Sequence, residues 1–162
     1  MMNLKGSCHC GAVSFAVKSH TPQPYMRCYC SICRKTAGGG GYAINIMGEA
    51  RTLEISGRKH LSVYRAMIEE DGKRARSAAR RHFCKRCGSA LFISDPRWKK
   101  WVYPHASAID TRLPVPVEVA HILLDSKCSW AEVPAGKRHK KFRDYPDQSI
   151  EDWHKSRGVY VK

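Results

Sequence analysis

The sequence has no long apolar run, no repeat, no low-complexity linker and few acidic residues. Its longest apolar stretch, 117–124, is interrupted by Glu118 and His121. It is far short of the roughly 20 residues that cross a bilayer as a helix, so no membrane span is expected. Met1 to Ser7 contain one lysine and no apolar segment of secretory-signal type, which predicts a cytoplasmic chain. A chain of 162 residues is long enough to bury one core, so a single domain over 1–162 is expected. The 14 acidic residues face 29 basic ones, a formal charge of +15. Such an excess can attract nucleic acid or small polyanions. Much of it lies in Lys73-Arg74-Ala75-Arg76 with Arg80-Arg81, and in Lys137-Arg138-His139-Lys140-Lys141 with Arg143. Regularly interleaved aromatics are missing there, so a solvated basic surface is the better reading and nucleic acid the weaker one.

Cysteine is what the chain has in quantity. Seven of its eight cysteines fall into Cys8-His-Cys10, Cys28-Tyr-Cys30-Ser-Ile-Cys33 and Cys84-Lys-Arg-Cys87. Cytosolic thiols stay reduced, which favours zinc over disulfides. On an extended strand, residues i and i+2 share a face, so Cys8 and Cys10 can aim both sulfurs at one ion. Cys84-x-x-Cys87-Gly88 reads as a zinc knuckle whose glycine lets the chain leave the turn. These two pairs make four thiolates, a closed structural set. Cys28, Cys30 and Cys33 can approach a second ion from one side only, leaving a position for water or a substrate thiol. Spacing alone does not exclude an exchange of ligands between the two sites. Loaded with two zinc ions, the chain's charge would fall to about +12.

Short strand-like runs dominate the rest. In 11–17, Val13, Phe15 and Val17 alternate with polar or small neighbours, the pattern of a half-buried strand. Gly38 to Gly41 break the chain before another apolar run, 42–47. Further strands are predicted at 52–55, 61–64, 90–93, 101–105 and 117–124. Helix signals are limited to a turn at 31–36 and a short piece near 149–155. The segment from Pro134 onward, polar and basic, is expected to wrap over the domain or fray. His9 should point away from a metal, and His82 could share a face with Cys84. His121 falls in step with apolar positions and reads as a hydrogen-bonded core histidine rather than a proton carrier. His105 is a weaker candidate, and no general base is named.

The segments Gly6-Ser-Cys8-His-Cys10-Gly11-Ala-Val-Ser-Phe15, Cys28-Tyr-Cys30-Ser-Ile-Cys33-Arg-Lys35 and Phe83-Cys84-Lys-Arg-Cys87-Gly88-Ser-Ala-Leu91 resemble the glutathione-dependent formaldehyde-activating enzymes. That superfamily also includes centromere protein V. His121-Ile122, Ser126-Lys127 and Trp130 resemble its later segment, so the likeness covers about 4–130 and leaves 134–162 as a basic extension. The resemblance implies a mainly β, tent-like fold of bent antiparallel sheets around zinc, with little helix. It implies Cys8, Cys10, Cys84 and Cys87 on a structural zinc, and Cys28, Cys30 and Cys33 on a labile catalytic one. The activity implied is that of a carbon–sulfur lyase resembling S-(hydroxymethyl)glutathione synthase, joining a zinc-activated thiol to a small aldehyde. Glutathione has two carboxylates, and Arg34 and Lys35, beside the triplet, are the cations expected to clamp them. Cys128 reads as an ordinary thiol; the sharper alternative is a fourth ligand closing the second zinc. The competing function is a non-catalytic, zinc-stapled module that binds nucleic acid or protein.

Overall fold

A computed structural model describes residues 1–70 and 72–162. The chain opens with β1 (Met2–Ser7) and β2 (Ser14–Ser19), a hairpin, followed by β3 (Met26–Cys28) and the short helix α1 (Ser31–Ala37). Strands β4 (Ala43–Ile44), β5 (Gly48–Glu49), β6 (Glu54–Ser56) and β7 (Leu61–Tyr64) come next. A projecting hairpin, β8 (Met67–Glu70) and β9 (Lys73–Arg76), leads into β10 (Arg80–Cys84), β11 (Ala90–Ser94) and β12 (Trp101–Pro104). The last elements are β13 (Val119–Ile122), β14 (His139–Lys141) and α2 (Ile150–Ser156). The fold is mainly β, as expected, and α1 and α2 are the two α-helices among the described residues.

The alternation of Phe15, Val17 and Ser19 buries one face of β2 against the interior, between antiparallel β1 and β6. A second antiparallel sheet runs in the order β5-β12-β11-β10-β7. The third sheet, β14-β13-β3-β4, departs from the antiparallel expectation. Here β13 pairs in parallel with both β14 and β3. Parallel neighbours require long crossovers, which the chain supplies by bringing β13 in from far along the sequence. A strand covered on both sides buries every residue, and all four residues of β13 are buried.

Two apolar clusters result. One gathers Leu4, Val13, Phe15, Ile46, Leu91 and Phe92, with Cys8 and Cys84 among them. The other gathers Tyr25, Ala43, Ala120, Ile122 and Trp153, with Cys28 and Cys33 among them. The C-terminal segment wraps rather than frays. Strand β14 joins the sheet, and Trp153 of α2 stacks on Tyr25 with ring centroids 3.7 Å apart. Trp153 Nε1 also donates to Glu118 Oε1 at 3.1 Å, and Val161 N to the His20 carbonyl at 2.9 Å. Helix α2 begins on Ser149, whose hydroxyl accepts from Asp152 N, the N-cap arrangement that satisfies an otherwise orphaned donor. Strands β1, β9 and β14 escaped the sequence reading because alternation in them is short or hidden under lysine and arginine.

Candidate metal centre

The four-thiol set forms where two turns meet. Cys8 and Cys10 sit on the loop joining β1 to β2, not on an extended strand as the sequence suggested. Cys8 N donates to the Val13 carbonyl at 2.9 Å and Gly11 N to the Cys8 carbonyl at 3.0 Å, so a turn converges the pair. Gly11 has φ +71°, which a side chain would strain. The knuckle at the end of β10 is built the same way. Gly88, at φ +76°, donates from its N–H to the Cys84 carbonyl at 2.8 Å. A hydrogen bond from His9 N to Ser89 Oγ, 3.1 Å, ties the two turns together while the His9 side chain faces solvent.

The sulfurs of Cys8, Cys10, Cys84 and Cys87 all lie within 4.8 Å of one another. Cys8 and Cys10 Sγ are 3.6 Å apart, and Cys10 and Cys84 Sγ 3.8 Å. A tetrahedral zinc with bonds of about 2.3 Å places its sulfurs about 3.8 Å apart, so this cage fits zinc. The Ser89 hydroxyl, then the Ser89 and Cys10 backbone N–H groups, pull the Cys87 thiol down to about 5. A thiol already biased toward thiolate is a prepared ligand.

The triplet is more local and more buried. Cys28 ends β3, anchored by Tyr29 N donating to the Ile122 carbonyl at 3.1 Å. Cys30 is the N-cap of α1, its sulfur accepting from Cys33 N at 3.3 Å. Cys33 lies one turn into the helix. The three sulfurs again lie within 4.8 Å of one another, a group that could hold zinc. Hydrogen bonds from the Cys28 and Cys33 thiols pull Cys30 far below the usual thiol range, aided by the nearby Arg81 charge. The same contact with Cys30 pushes the Cys28 thiol up.

A cavity of about 290 Å³ opens over this triplet. Trp98, Tyr103 and Tyr145 supply aromatic wall, and Met26, Ile93 and Ile122 supply apolar wall. Besides the thiols, Asn45 and Arg81 line it, and the Tyr103, Tyr145 and Trp98 side chains carry an O–H or N–H of their own. Asn45 Oδ1 and Arg81 Nη1 are both buried without a hydrogen-bond partner. Arg34 and Lys35 do not line the cavity: Lys35 is exposed, and Arg34 is half-buried with its Nε unpartnered. Cys128 lies outside both thiol groups, beside Gly41.

His121 is wholly buried between Tyr29, whose hydroxyl lies 2.9 Å from Nδ1, and His139, whose Nδ1 lies 3.0 Å from Nε2. Burial, reinforced by Arg27, His139 and Lys141, holds its ring down at about 4. It is the hydrogen-bonded core histidine that its place on the apolar face implied. His105 is equally buried and is held at about 4 by burial and by Arg81. His82 stacks on Phe92 and meets Ser94 Oγ at 2.9 Å, so it belongs to the β10–β11 packing. The sequence reading missed Arg81, Asn45 and Tyr145. Arg81 is hidden at the end of a basic run, and nothing local marks the other two.

The sequence profile of the glutathione-dependent formaldehyde-activating enzymes matches residues 3–123. A Halomonas elongata protein, named as a candidate glutathione-dependent formaldehyde-activating enzyme, is 54% identical over 158 residues, which cover 98% of each chain. A crystal structure of a Rhodobacter sphaeroides protein superposes with a TM-score of 0.52 at 25% identity, covering 68% of this chain and 91% of that one. With three-quarters of its length inside the family's profile and both cysteine cages assembled, the chain belongs to the glutathione-dependent formaldehyde-activating enzyme family.

Proposed function

We propose that this chain joins glutathione to formaldehyde, or to a similarly small aldehyde, giving S-(hydroxymethyl)glutathione, and that the reaction depends on zinc. Run in reverse it is a carbon–sulfur lyase. The observation that carries this reading is the contrast between a complete four-thiol set and a three-thiol set that opens on a cavity. On this reading Cys8, Cys10, Cys84 and Cys87 hold a structural zinc, and Cys28, Cys30 and Cys33 hold the catalytic one. Held by Cys28, Cys30 and Cys33, zinc would lower the proton affinity of an incoming thiol. Three thiolates make that ion electron-rich, so the protein's contribution is to deliver sulfur rather than to polarise the carbonyl.

The balance of the reaction is simple. A carbon–sulfur bond forms, the carbonyl π pair moves to oxygen, and the proton lost by sulfur is matched by one gained at the new hydroxyl. No histidine lines the cavity, and on this reading the proton passes to and from water. Arg81 offsets the negative charge collected around the triplet, and the aromatic walls limit how much water competes for the open side. Tyr145 belongs to the segment 134–162, so that segment completes the cavity of what we take to be a single domain. A cytoplasmic setting, where the thiols stay reduced, is part of the proposal. Among the described residues no helix is long and apolar enough to cross a membrane.

The test is zinc per chain by native mass spectrometry, with and without glutathione, alongside the initial rate of S-(hydroxymethyl)glutathione formation by NMR. Two zinc ions, one of them accompanied by bound glutathione, and a rate above the spontaneous addition are expected. One inert zinc under full metal supply would sink the catalytic assignment. The exposed Lys73, Arg74 and Arg76 on β9 keep a binding module as the second reading. Steeply salt-dependent binding to DNA or RNA, without turnover, would favour it.

A further inference from the structure

We propose that Arg81 and Asn45 select the thiol that enters the triplet cavity, with Arg81 binding a carboxylate close to the sulfur and Asn45 accepting an N–H from the same molecule. The inference rests on the thiol-delivery reading above and names the recognition chemistry of that site.

Arg81 leaves β10 opposite Ile93 of β11, and both residues line the cavity. A buried cationic donor is costly unless an anion meets it. No aspartate or glutamate lines this cavity, and no salt bridge joins Arg81 to an acid among the described residues. Arg81 lines the same cavity as the three thiols. Nη1 is buried beside this cavity without a hydrogen-bond partner, a donor that an entering anion would satisfy. Asn45 Oδ1 is the complementary case, a buried acceptor with no donor. Its position is set by the backbone bridge between Asn45 and His105.

Sulfur, anion and N–H donor are therefore requested within one small space. At about 290 Å³ the cavity sits at the lower edge of ligand pockets, which run from about 300 Å³ upward. It has room for the reacting end of a peptide thiol and its nearest polar groups. In glutathione the group following the cysteine is glycine, so Arg81 takes the glycyl carboxylate. A forked guanidinium suits a carboxylate better than an ammonium does.

Zinc-loaded protein would be titrated calorimetrically with glutathione, with its glycyl ethyl ester and with 2-mercaptoethanol, which lacks both carboxylate and N–H. The wild type should bind glutathione about tenfold or more tightly than the ester. Arg81→Gln should abolish that preference, weaken 2-mercaptoethanol far less than glutathione and keep the zinc content. Arg81→Lys should restore part of the preference. Asn45→Ala should weaken glutathione and its ester alike and spare 2-mercaptoethanol. Equal binding of acid and ester by the wild type, read without any variant, would overturn the proposal. So would an Arg81→Gln protein that loses 2-mercaptoethanol as severely as glutathione, because Arg81 would then serve only the sulfurs. A zinc-replete protein that binds no thiol at all would fail at the thiol-delivery step, and selection by Arg81 would fall with it.

Discussion

The two cysteine sites differ in how far the chain travels to build them and in what lies in front of them. Cys10 and Cys84, whose sulfurs approach to 3.8 Å, are 74 residues apart in sequence. The triplet closes between the end of β3 and the first turn of α1. Burial runs the other way from openness: Cys10 and Cys87 of the four-thiol set are exposed, while Cys28 and Cys33 are buried. Solvent exposure is thus a poor guide to which site can accept a substrate. On the proposed reading ligand number decides it, since four thiols would complete a tetrahedron around zinc and three would not. Each thiol group also has members in its own apolar cluster, so the cysteine sites and the core are built together.

That contrast can be broken from either side. Cys84→Ser should have the largest effect, removing a wholly buried ligand that links two distant hairpins. A loss upward of about 4 kcal/mol in urea unfolding is expected, with release of zinc, because loss of a metal belongs to the most damaging class of substitutions. An unchanged midpoint would deny the four-thiol set its structural role. Cys30→Ser should invert the pattern. Serine is a good N-cap and keeps the hydrogen bond that starts α1, so stability changes little, while turnover falls about 100-fold or more as a soft ligand is lost. Equal turnover would remove the triplet from the chemistry.

Smaller effects sharpen the picture around the triplet. Tyr29→Phe deletes the hydroxyl that meets His121 Nδ1 at 2.9 Å and should cost about 1–2 kcal/mol in urea unfolding with zinc content unchanged. Protonation tests the same buried region. His121 and His105 are held at about 4 when folded, below their ordinary value, so the unfolded chain takes up protons first as pH falls. Stability is therefore full above about pH 6.5 and declines from there toward pH 4. The urea midpoint should drop between pH 6.5 and 5 in protein shown to retain its zinc; a flat profile would mean these rings are not neutral in the fold. The least effect is expected from Arg34→Ala and Lys35→Ala, which should change turnover by less than about twofold because neither side chain lines the cavity.

Particular residues show why one part of this molecule could be read from sequence and another could not. Val13, Phe15 and Val17 announce β2 because a pleated strand with one buried face imposes a period of two. His121 was legible for a related reason, its alternation with apolar neighbours on β13. Strand β14 was not, because His139-Lys140-Lys141 pairs through its backbone and its lysines remain exposed. The Cys8–Cys10 pair converges for a reason its spacing did not suggest: a turn closed by Gly11, not a strand face, brings the sulfurs together. Tyr145 shows the limit most clearly, since it reaches the triplet cavity from a segment outside the family's matched span.

The sequence by itself determined the chemistry on offer: seven clustered thiols, enough for one complete and one incomplete tetrahedron, carried by short β segments. Those properties depend on residue type and on spacings of a few residues, which local geometry translates directly. Only the tertiary structure decided which cysteine clusters converge, that β13 runs parallel to its neighbours, and that Arg81 and Asn45 rather than Arg34 and Lys35 line the triplet cavity. Such outcomes arise from packing between residues far apart in the chain, where burial of the two apolar clusters, not local spacing, selects the partners.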